Sequence, residues 1–189
     1  MIKEVYTLLN KKREPKYYFY LDNNLYPDFV GNKIKNDEIT KFSINHFKAL
    51  EPLFLMKNRN MKNVDIASFP NFNTFVVSKK FKETFESKIK GIFLNTSEID
   101  FYLFIIDNVI DCVDMEKSKI IYQINDRKYT YIKSESIIIL NENILNDQLL
   151  FSIPEEPLKT LCTEGFIHLC EEHNINNIVF KDFNIRAIL

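Results

Sequence analysis

Glycine is scarce. The 189 residues hold three, Gly31, Gly91 and Gly165, and no two are close in sequence. Loops that cradle phosphate need clustered glycines so that backbone N–H groups can approach the ligand. A nucleotide site of the Rossmann or P-loop kind is therefore not expected. Tryptophan is absent, and the three cysteines, Cys112, Cys162 and Cys170, form an odd set with no C-x-x-C spacing. A disulfide framework calls for a denser, even set, so the expected setting is a reducing one, the cytoplasm. The opening MIKEVYTLLNKKREPK sets a short apolar run between charges and lacks the ordered regions of a signal peptide. The most apolar stretch, FYLFIIDNVIDCVDM, is interrupted by Asp107 and Asp111 and is too short and too charged to span a bilayer. Neither export nor a membrane anchor is expected.

What is present suits a folded core. Apolar residues make up 46%, with 17 Phe and 9 Tyr. A chain of this length buries roughly 70% of the surface its unfolded form exposes, so no staples are needed. The net charge of −1 conceals an asymmetry. Residues 1–94 carry 17 Lys/Arg against 10 Asp/Glu, and residues 95–189 carry 8 against 16. Such polarity steers a charged partner, or else reflects two solvated faces that differ.

The pattern along the chain implies an α+β fold. Residues 16–21 (KYYFYL) suit a strand, 51–56 a short strand or buried segment, and 57–71 carry no structural signal. TFVV from Thr74 reads as a strand and Ser78 as a helix cap, with Phe81 and Phe85 on one helix face. That helix is expected to end near Lys88, before a strand over 89–94. Residues 160–180 repeat the plan. TLC is the strand and Thr163 the cap, Phe166 and Cys170 stand where Phe81 and Phe85 do, and Asn174 ends the helix in left-handed backbone. Phe81, Glu86, Ile89 and Ile92 match Phe166, Glu171, Ile175 and Ile178, with one insertion at Asn174. Between the two units lie strand candidates at 101–106, 119–124, 128–133, 136–140 and 149–153, with Asn125-Asp126-Arg127 as a hairpin turn. Pro154 and Pro157 are expected to break the chain before the second unit. The fold class is thus a mixed or antiparallel sheet with two similar strand–helix–strand units flanking a β-rich middle. Residues 1–70 form an N-terminal strand and irregular portion and 71–189 the α+β core, in one compact domain.

Candidate chemistry is thin. Asp107, Asp111 and Asp114 are the densest acidic cluster, and converging carboxylates hold divalent ions for hydrolysis. The spacing matches no calcium loop, and turn or edge carboxylates are the better account of it. His168, His173, Cys162 and Cys170 lack the paired spacing of a zinc site. A Cys–His nucleophilic pair rests only on both residue types being present. Lys11-Lys12-Arg13 and Lys79-Lys80, with aromatics Tyr17, Tyr18, Phe19 and Tyr20, offer phosphate contact and stacking. A pI near 6.3 argues against a dedicated nucleic-acid binder. No catalytic residue, cofactor or metal is assigned.

FYLFIIDNVIDCVDMEKSKI, followed by QLLFSIPEEPLKTLCTEGFIHLCEEHNINNIVF, resembles a family of bacterial immunity proteins found in polymorphic-toxin loci. Asp111, Cys112, Asp114 and Ser118 fit its middle motif, and Phe151, Thr163, Glu164 and Phe180 its C-terminal one. Asp107 stands where the family tends to have Asn, and Asn177 where Gly is usual. The resemblance implies a cytoplasmic inhibitor that occludes a cognate secreted toxin, with no direct contact to membrane or nucleic acid. The motif residues themselves read as structural. The acidic second half is the expected contact face, with Glu155, Glu156, Glu171, Glu172, Asp111 and Asp114 as partner-binding candidates against a toxin with a basic, nucleic-acid-binding cleft. The alternatives are a non-catalytic regulatory or scaffold domain, and a metal-dependent hydrolase built on Asp107, Asp111 and Asp114.

Overall fold

A computed structural model describes residues 5–10, 19–21, 52–53, 55–57, 64–68, 74–124, 130–132 and 136–182. Its elements in chain order are β1 (Val5–Asn10), β2 (Phe19–Leu21), β3 (Leu55–Lys57), β4 (Ile66–Ser68), β5 (Thr74–Ser78), α1 (Lys79–Phe85), β6 (Gly91–Asn95) and β7 (Phe101–Ile106). They continue as β8 (Tyr122–Ile124), β9 (Thr130–Ile132), α2 (Glu142–Leu145), β10 (Leu150–Ile153), β11 (Glu156–Thr163), α3 (Glu164–Glu172) and β12 (Ile178–Asp182). The chain divides into two compact units. One comprises Asn10–Ile106 with Ile175–Ile178, the other Met1–Leu9, Asp107–Asn174 and Val179–Leu189.

The unit containing residues 10–106 is built on a four-stranded sheet in the order β4-β5-β7-β6. Each neighbouring pair runs antiparallel, in registers that include Ile66↔Val77, Val76↔Leu103 and Phe93↔Phe104. Helix α1 joins β5 to β6, and β7 occupies the slot between those two strands. Ser78 starts the helix as expected, its Oγ accepting from the Phe81 N–H at 3.1 Å. The four-residue spacing of Phe81 and Phe85 puts both rings on the buried face. They lie 4.6 Å apart, and Phe81 is 5.9 Å from Phe104 of the sheet. Phe93 stacks on Phe104 at 4.6 Å. The outer face carries the pairs Lys79–Glu83 and Lys82–Glu86, both of i,i+4 spacing.

Gly91 is held to glycine by this packing. A Cβ there would sit inside the ring of Phe104 and 2.7 Å from the Ile105 carbonyl oxygen. The β6–β7 pair closes only because residue 91 has no side chain.

Asp65, just before β4, is 6% exposed and is the polar centre of this unit. Its Oδ1 accepts from the Ser78 hydroxyl at 2.7 Å, and Oδ2 from the Asn176 backbone N–H at 3.0 Å. Lys80 Nζ lies 3.4 Å from Oδ2. In return the Asp65 N–H donates to Asn176 Oδ1 at 3.0 Å, and Asn177 Nδ2 donates to the Ile66 carbonyl at 2.7 Å. The carboxylate thus satisfies the helix cap and the 175–178 segment together. Asn174 (φ 50°) and Asn177 (φ 63°) supply the left-handed backbone that turns the chain out of α3 and back into β12.

The other unit repeats the plan with a different central strand. Its sheet order is β10-β11-β1-β12, with α3 joining β11 to β12. β1 fills the slot, pairing antiparallel with β11 through Val5↔Thr163 and Thr7↔Leu161. Phe166 and Cys170 are the buried residues of α3, and Phe166 meets Phe180 of β12 edge to face at 6.2 Å. Val5, Cys112, Val113, Ile138, Leu140, Leu145, Phe151, Ile153 and Leu161 form the core.

Several expectations are corrected here. Thr163 occupies the cap position of α3 but does not cap it. Its hydroxyl donates to the Gln148 carbonyl at 2.7 Å instead. Pro157 does not break the chain but lies within β11. The register passes from Phe151↔Leu161 to Ile153↔Glu156, so four residues of β11 face one of β10, and Pro157 sits in that bulge, where a missing N–H is tolerated. Residues 57–71 contain β4, too short to leave a periodic signal. Residues 136–140 form single bridges, Lys119↔Ile137 and Val113↔Leu140, because their partner strand is interrupted by a turn. Within 119–124 only Tyr122–Ile124 is a strand, and α1 ends at Phe85 with a turn carrying the chain past Lys88. The 125–127 turn and residues 16–18 lie outside the described residues.

Two substitutions test this packing. Gly91→Ala should lower unfolding free energy by about 1–3 kcal/mol, since the buried Phe104 ring and the Ile105 carbonyl oxygen both oppose the new methyl. Asp65→Ala should cost about 2–4 kcal/mol by leaving the Ser78 hydroxyl and the Asn176 N–H without acceptors. Urea unfolding measures both, and a change under about 0.5 kcal/mol in either contradicts the role given to that residue.

Candidate partner-binding site

The chain leaves β7 in extended form, so alternate side chains face opposite sides. Asp107, Val109 and Asp111 are exposed, whereas Asn108 and Cys112 are buried at 7% and 2%. Asn108 fixes the segment through its amide, which donates to the Leu150 carbonyl at 2.8 Å and to Gln148 Oε1 at 3.1 Å. Beside it, Val109 and Ser152 form a parallel bridge. Ser152 N–H donates to the Asn108 carbonyl and Ile110 N–H to the Ser152 carbonyl, each at 2.9 Å. Ser152 is the residue opposite the β11 bulge. Its backbone turns from β11 to this segment because the bulge leaves it unpaired on that side.

The D-C-x-D run then folds back on residues 139–141. The Cys112 carbonyl accepts from Asn141 N–H, and Asp114 N–H donates to the Ile139 carbonyl, both at 2.8 Å. Asp114 closes the following turn, Oδ1 accepting from Lys117 N–H at 3.1 Å and Oδ2 lying 2.7 Å from Lys117 Nζ. The hydrogen bond from the Lys117 ammonium holds the Asp114 carboxyl below its usual range. Ser118 Oγ accepts from the Ile139 N–H at 2.9 Å. Asp114 and Ser118 are therefore turn-forming residues.

β10 and β11 meet at the Pro154–Glu155 turn. Near that turn the Cys112 thiol feels the charge of Glu155 as well as of its neighbour Asp111. The Cys112 thiol is pushed up to about 12, by burial first, then by Glu155, then by Asp111. Glu155 is half-buried, and its Oε2 is fully enclosed with no hydrogen-bond partner among the described residues.

The structure thus brings Asp111 and Glu155 together around one thiol and leaves the other candidates apart. Asp114 faces Lys117. Glu156 opens β11, its side chain outside the described residues. Glu171 and Glu172 are exposed on the outer face of α3, where Glu171 lies 3.7 Å from His168 Nδ1. The sequence reading missed Val109, 61% exposed, and Met115, 57% exposed. The alternation D-N-V-I-D marked Val109 as outward-facing once the segment was taken as extended.

The other chemistry is not assembled. Among the described residues no three His, Cys, Asp or Glu side chains gather as metal ligands, and Asp107, Asp111 and Asp114 do not converge. Lys79 is paired to Glu83 and Lys80 to Asp65. Residues 11–13 lie outside the described residues. All three cysteines are buried, and desolvation raises Cys162 further than Cys112, so these two thiols stay protonated at neutral pH and are poor nucleophiles. Among the described residues no helix is long and apolar enough to cross a membrane.

Residues 94–184 match the model of an immunity protein family, Imm11, and the chain resembles that family over this stretch. No curated protein matches the chain.

The Cys112 environment makes a prediction. The unfolded thiol releases its proton near 9.0, whereas the folded one keeps it to about 12. Stability should therefore be unaffected by this group below pH 9 and fall as pH rises from 9 toward 12. Cys112→Ala should flatten that decline in urea melts. Native protein should react with a thiol-specific disulfide reagent at least about tenfold more slowly than denatured protein. Fast native labelling of Cys112 would contradict its placement.

Proposed function

We propose that this chain is an immunity protein that binds a cognate secreted bacterial toxin domain in the cytoplasm of the cell that makes it, and neutralises that domain by occluding it. The match of residues 94–184 to the immunity family is the observation that carries the reading. Its physical requirements are modest. A standard interface buries about 1,600 Å² in total, and complementary charge raises the association rate and narrows partner choice.

The acidic half, 16 Asp/Glu against 8 Lys/Arg over residues 95–189, suits a toxin with a basic cleft, as enzymes acting on nucleic acid have. Asp111, Asp114, Glu155, Glu156, Glu171 and Glu172 are the contact residues under this reading. Occlusion makes and breaks no bond, so the chain has no catalytic residue of its own.

This reading expects a long secreted protein to be encoded beside this gene, and the test is co-expression with the C-terminal domain of that protein. Cells should survive only with the chain present, and the purified pair should form a stoichiometric complex. Reversing Glu155, Glu156, Glu171 and Glu172 to lysine should slow association at least about tenfold at low salt and flatten its salt dependence. Unprotected cells with wild-type chain contradict the function, and unchanged kinetics in the reversed variant contradict the surface.

A further inference from the structure

Residues 107–111 extend the sheet β10-β11-β1-β12 beyond its edge. The sheet ends at β10, and the Val109↔Ser152 bridge lays one more extended segment beside that strand, running parallel to it. Ser152 N–H donates to the Asn108 carbonyl and Ile110 N–H to the Ser152 carbonyl, each at 2.9 Å. Both bonds of the bridge thus belong to the residues on either side of Val109. In extended backbone successive residues present their N–H and carbonyl groups to opposite edges, so those of Val109 point away from β10. Among the described residues neither Val109 nor Asp111 engages its N–H or carbonyl in a hydrogen bond. An edge of this kind is a template for a further strand.

The edge is fixed on both sides of Val109. The Asn108 amide donates to the Leu150 carbonyl at 2.8 Å and to Gln148 Oε1 at 3.1 Å, and the Cys112 carbonyl accepts from Asn141 N–H at 2.8 Å. A segment ordered before binding lowers the ordering cost of adding a strand. Asp107, Val109 and Asp111 have exposed side chains, and no Lys or Arg lies within residues 107–116. The order acid, apolar, acid indicates which strand fits. An antiparallel strand centred on Val109 sets one residue opposite each of the three, and opposite charges in directly facing positions are favourable. A second copy of this chain is refused by the same rule. Paired about Val109, each Asp107 would face an Asp111, like charge against like.

We propose that this edge, residues 107–111, accepts a β-strand of the toxin in which two basic residues flank an apolar one at alternate positions. This rests on the immunity reading above and specifies the contact within it. The N–H and carbonyl groups of Val109 and Asp111 supply main-chain hydrogen bonds, and the two aspartates select the strand by its charge.

The probe is a synthetic cyclic two-stranded peptide. Its outer strand carries arginine, valine and arginine at alternate positions, with their N–H groups facing outward. It is titrated into the full chain, and its dissociation constant and the exchange rates of single amides are read. At saturation the Val109 and Asp111 amides should exchange at least about tenfold more slowly than in the free chain. The same peptide with glutamate for arginine should bind at least about tenfold more weakly. So should one whose valine is N-methylated, which removes a main-chain donor and leaves every charge in place. Asp107→Lys combined with Asp111→Lys should invert the preference, so that the glutamate peptide binds more tightly than the arginine one. Equal affinity for the N-methylated peptide, binding that leaves Val109 exchange unchanged, or no binding overturns strand addition. If the wild-type chain still neutralises a toxin domain in that case, the immunity reading stands without this edge. Peptide binding by a chain that neutralises no toxin removes the immunity reading and, with it, the toxin as the source of the strand.

Discussion

In each four-stranded sheet the two strands joined by a helix are not neighbours, and a third strand must fill the slot between them. That constraint governs the rest of the fold. In the sheet β4-β5-β7-β6 the filler is β7, the segment that directly follows β6, so the slot closes locally. In the sheet β10-β11-β1-β12 the filler is β1, more than 140 residues earlier in sequence than β11. The first sheet assembles from near neighbours along the chain, whereas the second waits for its N-terminal strand and carries the larger loop-closure entropy. The family match over residues 94–184 holds β10, β11, α3 and β12 but not the strand between β11 and β12.

The two sheets share a plan down to the polar groups at the strand–helix junction. Ser78 N–H donates to the Asp65 carbonyl and Thr163 N–H to the Leu149 carbonyl, so both junctions are pinned to the residue before the first strand of their sheet. The hydroxyls then diverge. Ser78 both caps its helix and donates to the Asp65 carboxylate, whereas Thr163 donates to the Gln148 carbonyl and leaves its helix uncapped by a side chain. Helix α3 has Glu164 in its first turn, which favours the positive end of the helix dipole without a cap.

The repeat was legible in sequence because the helix face forces a four-residue spacing on its buried residues, Phe81 and Phe85 in one unit, Phe166 and Cys170 in the other. Asn174 was legible for a similar reason, since few side chains accept left-handed backbone. The role of β1 was not, because a slot filled from the far end of the chain leaves no local trace. Nor was the bulge that admits Pro157, where proline read as a break and the real determinant was Ser152 turning to bind residues 108–110. For the candidate site, the D-C-x-D run announced itself, but two carboxylates meeting around Cys112 depend on a parallel bridge between segments 43 residues apart, Val109 and Ser152. No spacing rule within either segment encodes that.

The same geometry spreads the three aspartates of the acidic run apart. Extended backbone sends Asp107 and Asp111 outward with Val109, the next turn commits Asp114 to Lys117, and the buried positions between them go to Asn108 and Cys112. The measurement that tests the account most directly is hydrogen exchange on the chain with and without the proposed toxin partner. Occlusion centred on the hairpin predicts slowed exchange across residues 107–116 and 153–157, with α1 and strands β4 to β7 unchanged. Protection confined to α1 and its sheet, with the hairpin still exchanging at the free rate, would contradict it.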